Sequence, residues 1–386
     1  MLTQKAPDTP RDRLLVVDAR TIRRAPTGIG NATFRQLRGI DRVIANGEVA
    51  GWRVAAIRLA SELEDPAFAE LWKDFKKVEL IDVAADPAKH PAGDYWQQVT
   101  FPALLKSMNA DVVYSPAYAG PLRTDRTRRM VMLHDDLVWT QPSSYPLSFR
   151  YYIRTMARLS ARGAHRVIFP SEDARERCTA LLGLPRERTA AVHHGIDLDL
   201  FQPAPVQGRE KMIVCIASAE RRKNHEVLLR ALPMISPDVR MVFVGFSSAA
   251  KDRLQELRAI NNSNRWEIVS GDEKSVSSYL RRAAIFALPS LGEGFGFPVI
   301  EAMASGTPCI LSDIPVLHEV AGDTALYANP NDPAAWTKAI NECLPAGAPA
   351  MARATAGLEY VRKYSLEACG RRLLLEARIA GRGNGE

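Results

Sequence analysis

The stretch GEGFGFPVIEAMASGTPCILSD, residues 292–313, decides the fold of this chain. An apolar run typical of a buried strand, AIFALPS at 284–290, leads into a glycine-rich turn, and we expect a helix to start near Pro298. A second apolar run, TPCILSD at 307–313, follows that helix. Strand, turn, helix and strand in this order form the repeating unit of a parallel sheet. In such sheets a ligand binds beyond the carboxyl end of the strand, which is where this turn lies.

The turn is suited to a ligand that is rich in hydroxyl groups and joined to a phosphate. Gly292, Gly294 and Gly296 let the backbone approach a ligand closely. We expect Glu301 in the first turn of the helix, where its carboxylate complements the helix dipole and can accept two hydroxyl groups, such as a ribose diol. Glu293 faces whatever lies before the helix. The two glutamates alone are a weak signal, because such a pair occurs by chance in many proteins.

Short apolar runs alternate with helical segments along the rest of the chain. This pattern predicts an α/β protein with two Rossmann-like domains, each with a doubly wound parallel sheet. The polar stretch FQPAPVQGRE at 201–210 is typical of a linker, so we predict a first domain at 1–200, a second at 209–365, and a last helix at about 366–386 that can pack back on the first domain. The predicted strands are 13–18, 51–59, 110–115, 129–135 and 165–171 in the first half, and 211–218, 239–246, 265–271, 284–290 and 307–313 in the second.

The composition supports this organisation and narrows the function. A chain of 386 residues exceeds the size at which one core keeps growing, and 46% hydrophobic with 25% charged residues is ordinary for a globular protein. The five cysteines form no CxxC pair, which suits a reducing compartment. No apolar run is long enough to span a membrane and no hydrophobic signal core is apparent, so we expect a cytoplasmic protein. The net charge of +7 lies mainly in residues 1–200, which raises phosphorylated substrates and anionic membranes as partners.

Two other predicted strands are followed by glycine or histidine motifs. After the first strand, Gly28 and Gly30 lie in a loop before a helix that we expect to begin near Asn31, and amides of such a loop attract phosphate. An ordinary turn is the alternative, because the loop is neither GxGxxG nor a Walker sequence. His134, in LHDD, stands at another strand end, where it can donate a hydrogen bond to a substrate hydroxyl or stabilise a charged transition state. A structural role is the alternative for a single histidine.

Cations stand between a strand and a helix at Arg221, Arg222 and Lys223. Positive charge at a helix N-terminus opposes the helix dipole, so an anion should compensate it. A phosphate and a solvated surface cluster are equally good explanations. A separate arginine series recurs at four-residue spacing and forms one stripe if the segment up to Gly163 is helical; its members are Arg150, Arg154, Arg158, Arg162 and Arg166. This stripe is either an ordinary solvated face or a contact for lipid headgroups or a diphosphate. Nucleic acid is disfavoured because no recognised binding motif accompanies the charge.

Several stretches together resemble one enzyme family. The opening stretch resembles the EGFGxPxxEAMAxGxPV signature of retaining glycosyltransferases of family 4, which have two Rossmann-like domains in the arrangement called GT-B. TGIGN resembles the family's N-terminal tGIGRY loop, LHDD its HD strand end, HHGID its pNGVD element, and RRKNHEVLLRAL its donor-phosphate site. The resemblance covers nearly the whole chain, and the order and spacing of these motifs agree with it.

The resemblance implies roles for individual residues. Arg222 and Lys223 would hold the donor diphosphate and neutralise the leaving nucleotide, and Glu293 would bind the donor sugar, while His134 would lie under the sugar near the acceptor. Glu301 would bind the ribose. The other donor-binding residues would be Gly28 and Gly30 from the first domain, Gly294, Phe295, Gly296 and Phe297 from the turn, and Ser270 and Gly271 near the base. No cofactor and no metal is implied.

Some positions depart from the family pattern. Ser218 stands where many members carry an arginine, so Arg222, with or without Arg221, must supply the second charge. His194 replaces the asparagine of the NGVD element, and Asn31 stands in the acceptor-side loop where arginine is common. The sequence DLD at 197–199 matches a divalent-cation pattern of another fold, but its place before the linker favours a structural interpretation.

The resemblance therefore predicts a nucleotide-sugar-dependent retaining hexosyltransferase. The subtype most resembles mannosyltransferases that use GDP-mannose in bacterial surface polysaccharide synthesis, with a polyprenyl-diphosphate-linked oligosaccharide or another glycolipid, such as a lipopolysaccharide core, as acceptor and peripheral association with the inner membrane. A UDP-sugar donor and a non-catalytic nucleotide-sugar-binding subunit are the alternatives. A dinucleotide-dependent oxidoreductase is disfavoured, because no GxGxxG turn follows the first strand.

Overall fold

The computed structural model describes residues 11–25, 27–86, 90–204, 208–216, 218–245, 251–344 and 348–381. Within these ranges the chain forms two sheets in which every strand pair is parallel, one of seven strands and one of six. The predicted α/β architecture is therefore confirmed. Parts of several predicted segments lie outside the described residues. These parts are 1–10 of the first domain, 205–207 of the linker, 217 and 246 of two strands, and 382–386 of the last helix.

The strands alternate with helices in chain order. The first sheet contains β1 (Arg13–Asp18), β2 (Trp52–Leu59), β3 (Val78–Val83), β4 (Val112–Ser115), β5 (Arg128–Met132), β6 (Arg166–Phe169) and β7 (Thr189–Ala191). The second contains β8 (Glu210–Ile216), β9 (Arg240–Val244), β10 (Trp266–Val269), β11 (Ala283–Leu288), β12 (Cys309–Ser312) and β13 (Leu326–Ala328). The strand orders are β3-β2-β1-β4-β5-β6-β7 and β10-β9-β8-β11-β12-β13.

The helices connect these strands. Those of the first half are α1 (Gly28–Ala45), α2 (Pro66–Glu70), α3 (Ala92–Tyr95), α4 (Phe101–Ser107), α5 (Leu137–Thr140), α6 (Leu147–Gly163) and α7 (Glu172–Leu182). Those of the second half are α8 (His225–Ala231), α9 (Lys251–Ile260), α10 (Glu273–Arg282), α11 (Phe297–Ala304), α12 (Pro315–Ala321), α13 (Pro333–Cys343), α14 (Ala348–Tyr360) and α15 (Leu366–Gly381). Short 3₁₀ segments occur at Ala60–Glu64, Pro142–Ser144, Arg186–Arg188, Arg221–Lys223, Leu232–Met234, Gly322–Thr324 and Val361–Tyr364, and a π-helical turn at Trp96–Thr100.

Each central strand is apolar throughout because both of its faces are buried. In β8, Met212 and Val214 face one core while Ile213 and Cys215 face another on the opposite side of the sheet. A strand that is covered on both faces reads as a continuous hydrophobic run, which is why the central strands could be predicted.

Three strands, β3, β7 and β13, were not predicted, and each lies at an edge of its sheet. The sequence of β3, VELIDV, carries two charges, and β7 and β13 are only three residues long. An edge strand has a neighbour on one side only and needs less apolar surface, so its sequence signal is weak.

Both sheets contain a point at which the strand order reverses, between β1 and β4 in the first and between β8 and β11 in the second. Loops that follow the two strands at such a point diverge and leave a crevice at their carboxyl ends. The segment of Arg222 and Lys223 follows β8, and the turn of Glu293 follows β11. The fold therefore brings these two predicted motifs to one crevice.

Two helices begin elsewhere than predicted. Helix α1 begins at Gly28, not near Asn31, because the Thr27 hydroxyl accepts a hydrogen bond from the Gly30 amide and caps the helix. Gly28 and Gly30 thus lie in its first turn. Helix α11 begins at Phe297, which places Glu301 in its second turn instead of the first. Helix α6 ends at Gly163, as the arginine stripe requires.

The last helix, α15, packs against α1 of the first domain. The two backbones approach so closely that a Cβ atom on Gly39 would lie 2.1 Å from the Leu366 carbonyl oxygen, and one on Gly370 would lie 2.3 Å from Gly39. Leu373 and Leu374 of α15 share a buried cluster with Leu15 and Val17 of β1. The end of the chain therefore returns to the first sheet.

Candidate active site

The crevice between β8 and β11 holds a cluster of two cations and two carboxylates. Lys223 Nζ lies 2.7 Å from Glu293 Oε1, and Arg222 Nη1 lies 3.1 Å from Glu293 Oε2. Arg222 Nε also contacts Glu220 at 2.6 Å. The two loops are joined by their backbones, because the Leu291 amide donates to the Arg222 carbonyl oxygen at 2.8 Å. The structure thus places three residues with predicted catalytic roles in direct contact.

Burial makes this cluster electrostatically strong. Only 6% of Glu293 and 8% of Lys223 is exposed, so water screens their charges poorly. Burial alone would raise the pKa of Glu293, but the charges of Lys223 and Arg222 outweigh it and lower that pKa to about 2. Burial likewise opposes the charge of Arg222, yet Glu293 and Glu220 raise its pKa. Glu293 and Arg222 are therefore ionised at neutral pH, and carboxylates supply the anion that the cations at this helix start were expected to need.

Arg221 does not contribute its charge to the cluster, and Ser218, which stands where the family has an arginine, binds Glu220 instead. The Arg221 side chain is 71% exposed and pairs with Glu256 on α9. The Ser218 hydroxyl hydrogen-bonds to Glu220 at 2.7 Å. Of the two arginines considered for the second charge, the structure places only Arg222 in the cluster.

The glycine-rich turn after β11 touches the first domain directly. A Cβ atom on Gly294 would lie 2.0 Å from the His134 carbonyl oxygen, so only glycine allows this approach. The Ser171 hydroxyl, at the start of α7, donates to the Gly294 carbonyl oxygen at 2.7 Å. Arg177 on the same helix donates to the Glu293 carbonyl oxygen at 3.1 Å. The turn is thus held by backbone contacts with the other domain.

His134 lies at the carboxyl end of β5, 9% exposed. Its Nε2 atom lies 2.6 Å from the Pro116 carbonyl oxygen, so Nε2 carries the ring proton and donates it there. Burial lowers the pKa of His134 against the opposing effects of Pro116 and Asp135, so the ring is neutral. A neutral ring bonded in this way offers Nδ1 as an acceptor. The side chain is therefore suited to accept a hydrogen bond from a hydroxyl group, whereas the sequence suggested that it donates one.

An aromatic stack crosses from the first domain to the start of α11. The ring of His194 stacks on that of Phe297, with centroids 4.4 Å apart and planes 16° apart. The Arg35 guanidinium, from α1, lies 5.0 Å from the Phe297 ring centroid. Phe295 packs edge-on against both His194 and Phe297. His194, which the sequence left without a role, thus contacts the turn of the second domain.

Glu301, which is predicted to bind the ribose, is buried and faces the first domain. Its Oε1 atom lies 2.6 Å from Arg35 Nη2. The same nitrogen lies 2.7 Å from Glu273 Oε1, at the start of α10. One arginine from the first domain therefore binds two carboxylates of the second.

The remaining predicted donor residues belong to segments other than the two loops of the cluster. Ser270 and Gly271 are exposed and follow β10, the edge strand two positions from β8. Gly28 and Gly30 lie in α1, where a Cβ atom on Gly30 would lie 2.7 Å from the Thr21 carbonyl oxygen. Packing therefore explains why Gly30 is a glycine, while a Cβ atom on Gly28 would meet nothing within 4 Å.

The first four arginines of the stripe lie on α6, but Arg166 is buried in β6 and pairs with Glu376 on α15 at 2.5 Å. Arg158 is exposed, Arg150 is half-buried, and Arg154 donates from Nε and Nη2 to the Val138 carbonyl oxygen at 3.0 and 2.7 Å. Arg154 is therefore bound to the protein itself. Exposed apolar side chains on the same helix are Leu147, Phe149, Tyr151 and Leu159.

The DLD sequence takes part in ion pairs. Asp197 pairs with Arg38 and, at 3.5 Å, with Arg42, while Asp199 lies 3.0 Å from Arg42. Among the described residues no group of three or more His, Cys, Asp or Glu side chains could hold a metal ion. Asp197 thus fastens the segment before the linker to α1, in agreement with its structural interpretation.

Sequence reasoning did not identify Arg35, Ser171, Arg177 and Glu220 as parts of the site. Arg35 is 266 positions from Glu301 along the chain, and Arg177 is 116 positions from Glu293. These pairs carry no local spacing signal. Glu220 could have been found, since it directly precedes the cations that it neutralises.

Among the described residues no helix is both long and apolar enough to cross a membrane.

Two family models match the chain, one in each domain. The model for Glycosyltransferase Family 4 matches residues 50–200, and the model for Glycosyl transferases group 1 matches residues 210–345. The chain is 27% identical over 254 residues to the O-antigen chain mannosyltransferase RfbU of Salmonella typhimurium, covering 64% of this chain and 68% of that protein. It is 24% identical over 296 residues to O-antigen chain mannosyltransferase B of Escherichia coli, covering 72% and 75%.

Solved structures share the fold at low identity. HepE of Anabaena, solved in complex with UDP and glucose, superposes with a TM-score of 0.70 at 17% identity, covering 95% of this chain and 99% of HepE. A sucrose-phosphate synthase of Thermosynechococcus elongatus superposes with a TM-score of 0.71 at 20% identity, covering 95% and 98%. With both sheets, the crevice and both family models in agreement, the chain belongs to glycosyltransferase family 4 and has the GT-B fold.

Proposed function

We propose that this glycosyltransferase moves a mannosyl unit from GDP-mannose, with retention of configuration, to a lipid-linked oligosaccharide or lipopolysaccharide acceptor. The observation that carries the proposal is the buried cluster of Arg222, Lys223 and Glu293 in the crevice between β8 and β11. The mannosyl donor is supported by the two O-antigen mannosyltransferases among the relatives. A UDP-sugar donor is the alternative, and the UDP complex of HepE is the observation that favours it.

The donor diphosphate would bind Arg222 and Lys223 and share them with Glu293. A diphosphate carries more negative charge than a carboxylate, and charge builds up on it as the sugar leaves. Buried Lys223 and partly buried Arg222, both already held in place by carboxylates, would stabilise that charge without being reorganised during the reaction. They also lower the energy of the departing nucleotide, so the proposed reaction needs no metal ion, and a chelator should leave turnover unchanged.

Glu293 would bind sugar hydroxyls and not attack the sugar. Its two oxygens are each held by a cation, which lowers the nucleophilicity of the carboxylate. In a retaining transfer without a protein nucleophile, the acceptor hydroxyl attacks from the face on which the nucleotide departs. His134, with Nδ1 as an acceptor, is suited to orient a hydroxyl group of the sugar or of the acceptor.

The acceptor would approach from the membrane along α6. Tyr145, just before this helix, lies within range of the cluster's charges: burial and the charge of Asp135 raise its pKa to about 12, against the opposing charge of Arg222. The exposed apolar residues of α6 begin two positions later, at Leu147, and Arg158 is exposed on the same helix. Apolar groups beside basic ones favour an anionic lipid surface. A lipid-linked substrate held at that surface would lie beside the crevice.

Calorimetric titration of the full chain with GDP, UDP, ADP and their common sugar conjugates tests the proposal. We expect selective binding of GDP and GDP-mannose, lost when Arg222 and Lys223 are both changed to Ala. Arg221→Ala is the matched control, because this exposed arginine lies outside the cluster, and it should bind like the unmodified chain. Selective UDP binding would replace the mannosyl assignment by the UDP-sugar alternative.

Donor turnover separates an enzyme from a binding subunit. The chain, supplied with the selected nucleotide sugar and an undecaprenyl-diphosphate-linked oligosaccharide or a lipopolysaccharide extract, should release nucleoside diphosphate. Donor binding without any release over a range of acceptors would favour a non-catalytic subunit. If no nucleotide binds, the proposal fails.

A further inference from the structure

Helix α1 extends one arginine into the second domain, where it is almost fully buried. Arg35 is 4% exposed, and its Nη2 atom binds both Glu301 and Glu273. The guanidinium also lies 5.0 Å from the ring centroid of Phe297 and 5.5 Å from that of Phe201. Burial opposes its charge, but the two carboxylates raise the pKa of Arg35, so the group is ionised. Arg35 is therefore a fixed, charged group beside Glu301, the residue that is predicted to bind the ribose.

Only one of the three guanidinium nitrogens takes part in these ion pairs. Nε and Nη1 of Arg35 are buried and have no hydrogen-bond partner within the described part of the chain. Buried donors are almost always paired in folded proteins, because an unpaired donor loses its hydrogen bonds to water without replacement. Two such donors on one side chain, in a crevice that binds substrate, point to an acceptor that the ligand supplies.

The charge balance around Arg35 favours a neutral acceptor. Glu301 and Glu273 already place two negative charges against one positive charge, which disfavours a further anion such as a phosphate oxygen. A hydroxyl oxygen adds no charge. A hydroxyl group also donates and accepts at once, so a carboxylate and an N–H group side by side match both of its functions.

We infer that Arg35 is a further donor-binding residue, and that one of its unpaired N–H groups donates to the oxygen of a ribose hydroxyl whose proton Glu301 accepts. This inference rests on the proposed function, in which Glu301 binds the ribose. It adds that the ribose is recognised by one residue from each domain. A nucleotide that lacks the hydroxyl loses both contacts, so recognition of the ribose depends on both domains being in place.

Titration with hydroxyl-deleted nucleotides tests this role. The full chain and its Arg35→Met and Arg35→Lys variants are titrated with GDP, 2′-deoxy-GDP and 3′-deoxy-GDP, or with the uridine series if the chain selects UDP. Removing the hydroxyl that is read should weaken binding to the unmodified chain about tenfold or more, since a hydrogen bond to a charged group is lost. Arg35→Met should weaken GDP binding by a similar factor. The same variant should bind the deoxy nucleotide nearly as well as the unmodified chain does.

This non-additivity separates contact with the ribose from a purely structural role. Arg35→Lys keeps the charge and can keep an ion pair with Glu301, but its single nitrogen replaces the fork of N–H groups, so it should behave like Arg35→Met toward the hydroxyl. Arg38→Met is the matched control: Arg38 is also an ion-paired arginine of α1, but its partner, Asp197, precedes the linker. This control should discriminate between GDP and deoxy-GDP like the unmodified chain.

The possible outcomes are distinct. If Arg35→Met and Arg35→Lys weaken GDP and both deoxy analogues by the same factor, Arg35 acts only on the packing of the domains and the inference is wrong, while the proposed function stands. If neither deletion in the ribose affects the unmodified chain, Arg35 reads no hydroxyl and the inference is again wrong. If the unmodified chain binds no nucleotide, the proposed function fails and the inference fails with it.

Discussion

The Ser171 hydroxyl connects the two domains by donating a 2.7 Å hydrogen bond to the carbonyl oxygen of Gly294. The same hydroxyl accepts from the Ala174 amide at 3.0 Å and so caps α7. Glu319 of the second domain accepts from the next two amides of this helix, those of Glu172 and Asp173. Two of the free amide donors at the start of α7 are thus bound by a residue of the other domain. Separation of the domains would break these hydrogen bonds together. The contacts should therefore form and break cooperatively.

Gly294→Ala should prevent these contacts between the domains. The new methyl group would lie 2.0 Å from the His134 carbonyl oxygen, and backbone on both sides cannot move away without separating the domains. We expect turnover to fall about 100-fold, since displacements of about 1 Å have effects of this size. Small-angle scattering should show a larger radius of gyration with unchanged helix content. Gly357→Ala is the control, because its methyl group would make ordinary contacts with Met303. Unchanged scattering and turnover in Gly294→Ala would contradict the close approach.

Glu293→Gln should lower the free energy of unfolding and increase the stabilisation that a bound nucleotide provides. The change leaves Lys223 and Arg222 without their shared carboxylate, and breaking a buried ion pair costs about 3–5 kcal/mol. A bound diphosphate would restore the missing charge, so the nucleotide should raise the melting temperature more in Glu293→Gln than in the unmodified chain. Turnover should fall because the sugar hydroxyls lose a charged acceptor and one of its two oxygens. Glu220→Gln, at a carboxylate that is 39% exposed, should show a smaller shift. Equal nucleotide-induced shifts in all three proteins would argue against diphosphate binding at this cluster.

The chain should lose stability between pH 7.5 and pH 5, in part through His225. This histidine is fully buried, and burial, with the charges of Arg253 and Lys223, lowers its pKa to about 3. The unfolded chain, with a histidine pKa near 6.5, binds a proton over this range that the folded chain does not bind. The free energy of unfolding should therefore fall by up to about 2 kcal/mol from this residue at pH 5. The low pKa of Glu293 has its effect below about pH 4.5, outside this window.

Urea unfolding at pH 7.5 and pH 5 measures this effect in the unmodified chain and in His225→Phe, which keeps an aromatic ring against Phe243. The variant should lose less stability between the two pH values, whatever its absolute stability. His318→Gln, at a side chain that is 47% exposed, should retain the dependence of the unmodified chain. An identical loss in His225→Phe would show that other groups account for it.

Anionic vesicles should bind the chain through α6. Arg158→Glu reverses an exposed charge, and each basic residue near such a surface contributes about 1 kcal/mol, so co-sedimentation with phosphatidylglycerol vesicles should weaken at least fivefold. Replacing the exposed Leu147 and Tyr151 by Ser should weaken it further by removing apolar contact. Arg362→Glu, an exposed arginine of the second domain, is the control for net charge. A loss of binding that is the same for Arg158→Glu and Arg362→Glu would exclude a specific role of α6.

Much of the fold was predictable because its signals are local. The central strands are continuous apolar runs, and the glycine-rich turn after β11 could be assigned from neighbouring residues alone. The edge strands β3, β7 and β13 were not predicted because they bury less apolar surface. Helix α1 begins three residues before the predicted start, because the Thr27 hydroxyl caps it.

In the site, the family resemblance implied that Arg222, Lys223 and Glu293 bind one donor, and the structure places these side chains in contact because parallel strands bring the segments that follow them to one edge. The sequence did not indicate what balances their charge. Compensation by Glu293 depends on distances of about 3 Å to Arg222 and Lys223, which lie in a different loop. Glu220, in contrast, is a local neighbour of Arg222. The direction of hydrogen bonding at His134 likewise depends on Pro116, 18 positions away.

The sequence by itself determined the order of strands and helices, the glycine turn and the family, since these follow from residue type and spacing along the chain. The tertiary structure alone decided which charges meet. Arg35 and Glu301 are 266 positions apart, and no spacing rule connects them. They lie 2.6 Å apart because folding brings α1 of the first domain against α11 of the second. Coulomb and hydrogen-bond energies depend on distance in space, and between residues of different domains only the folded chain fixes that distance.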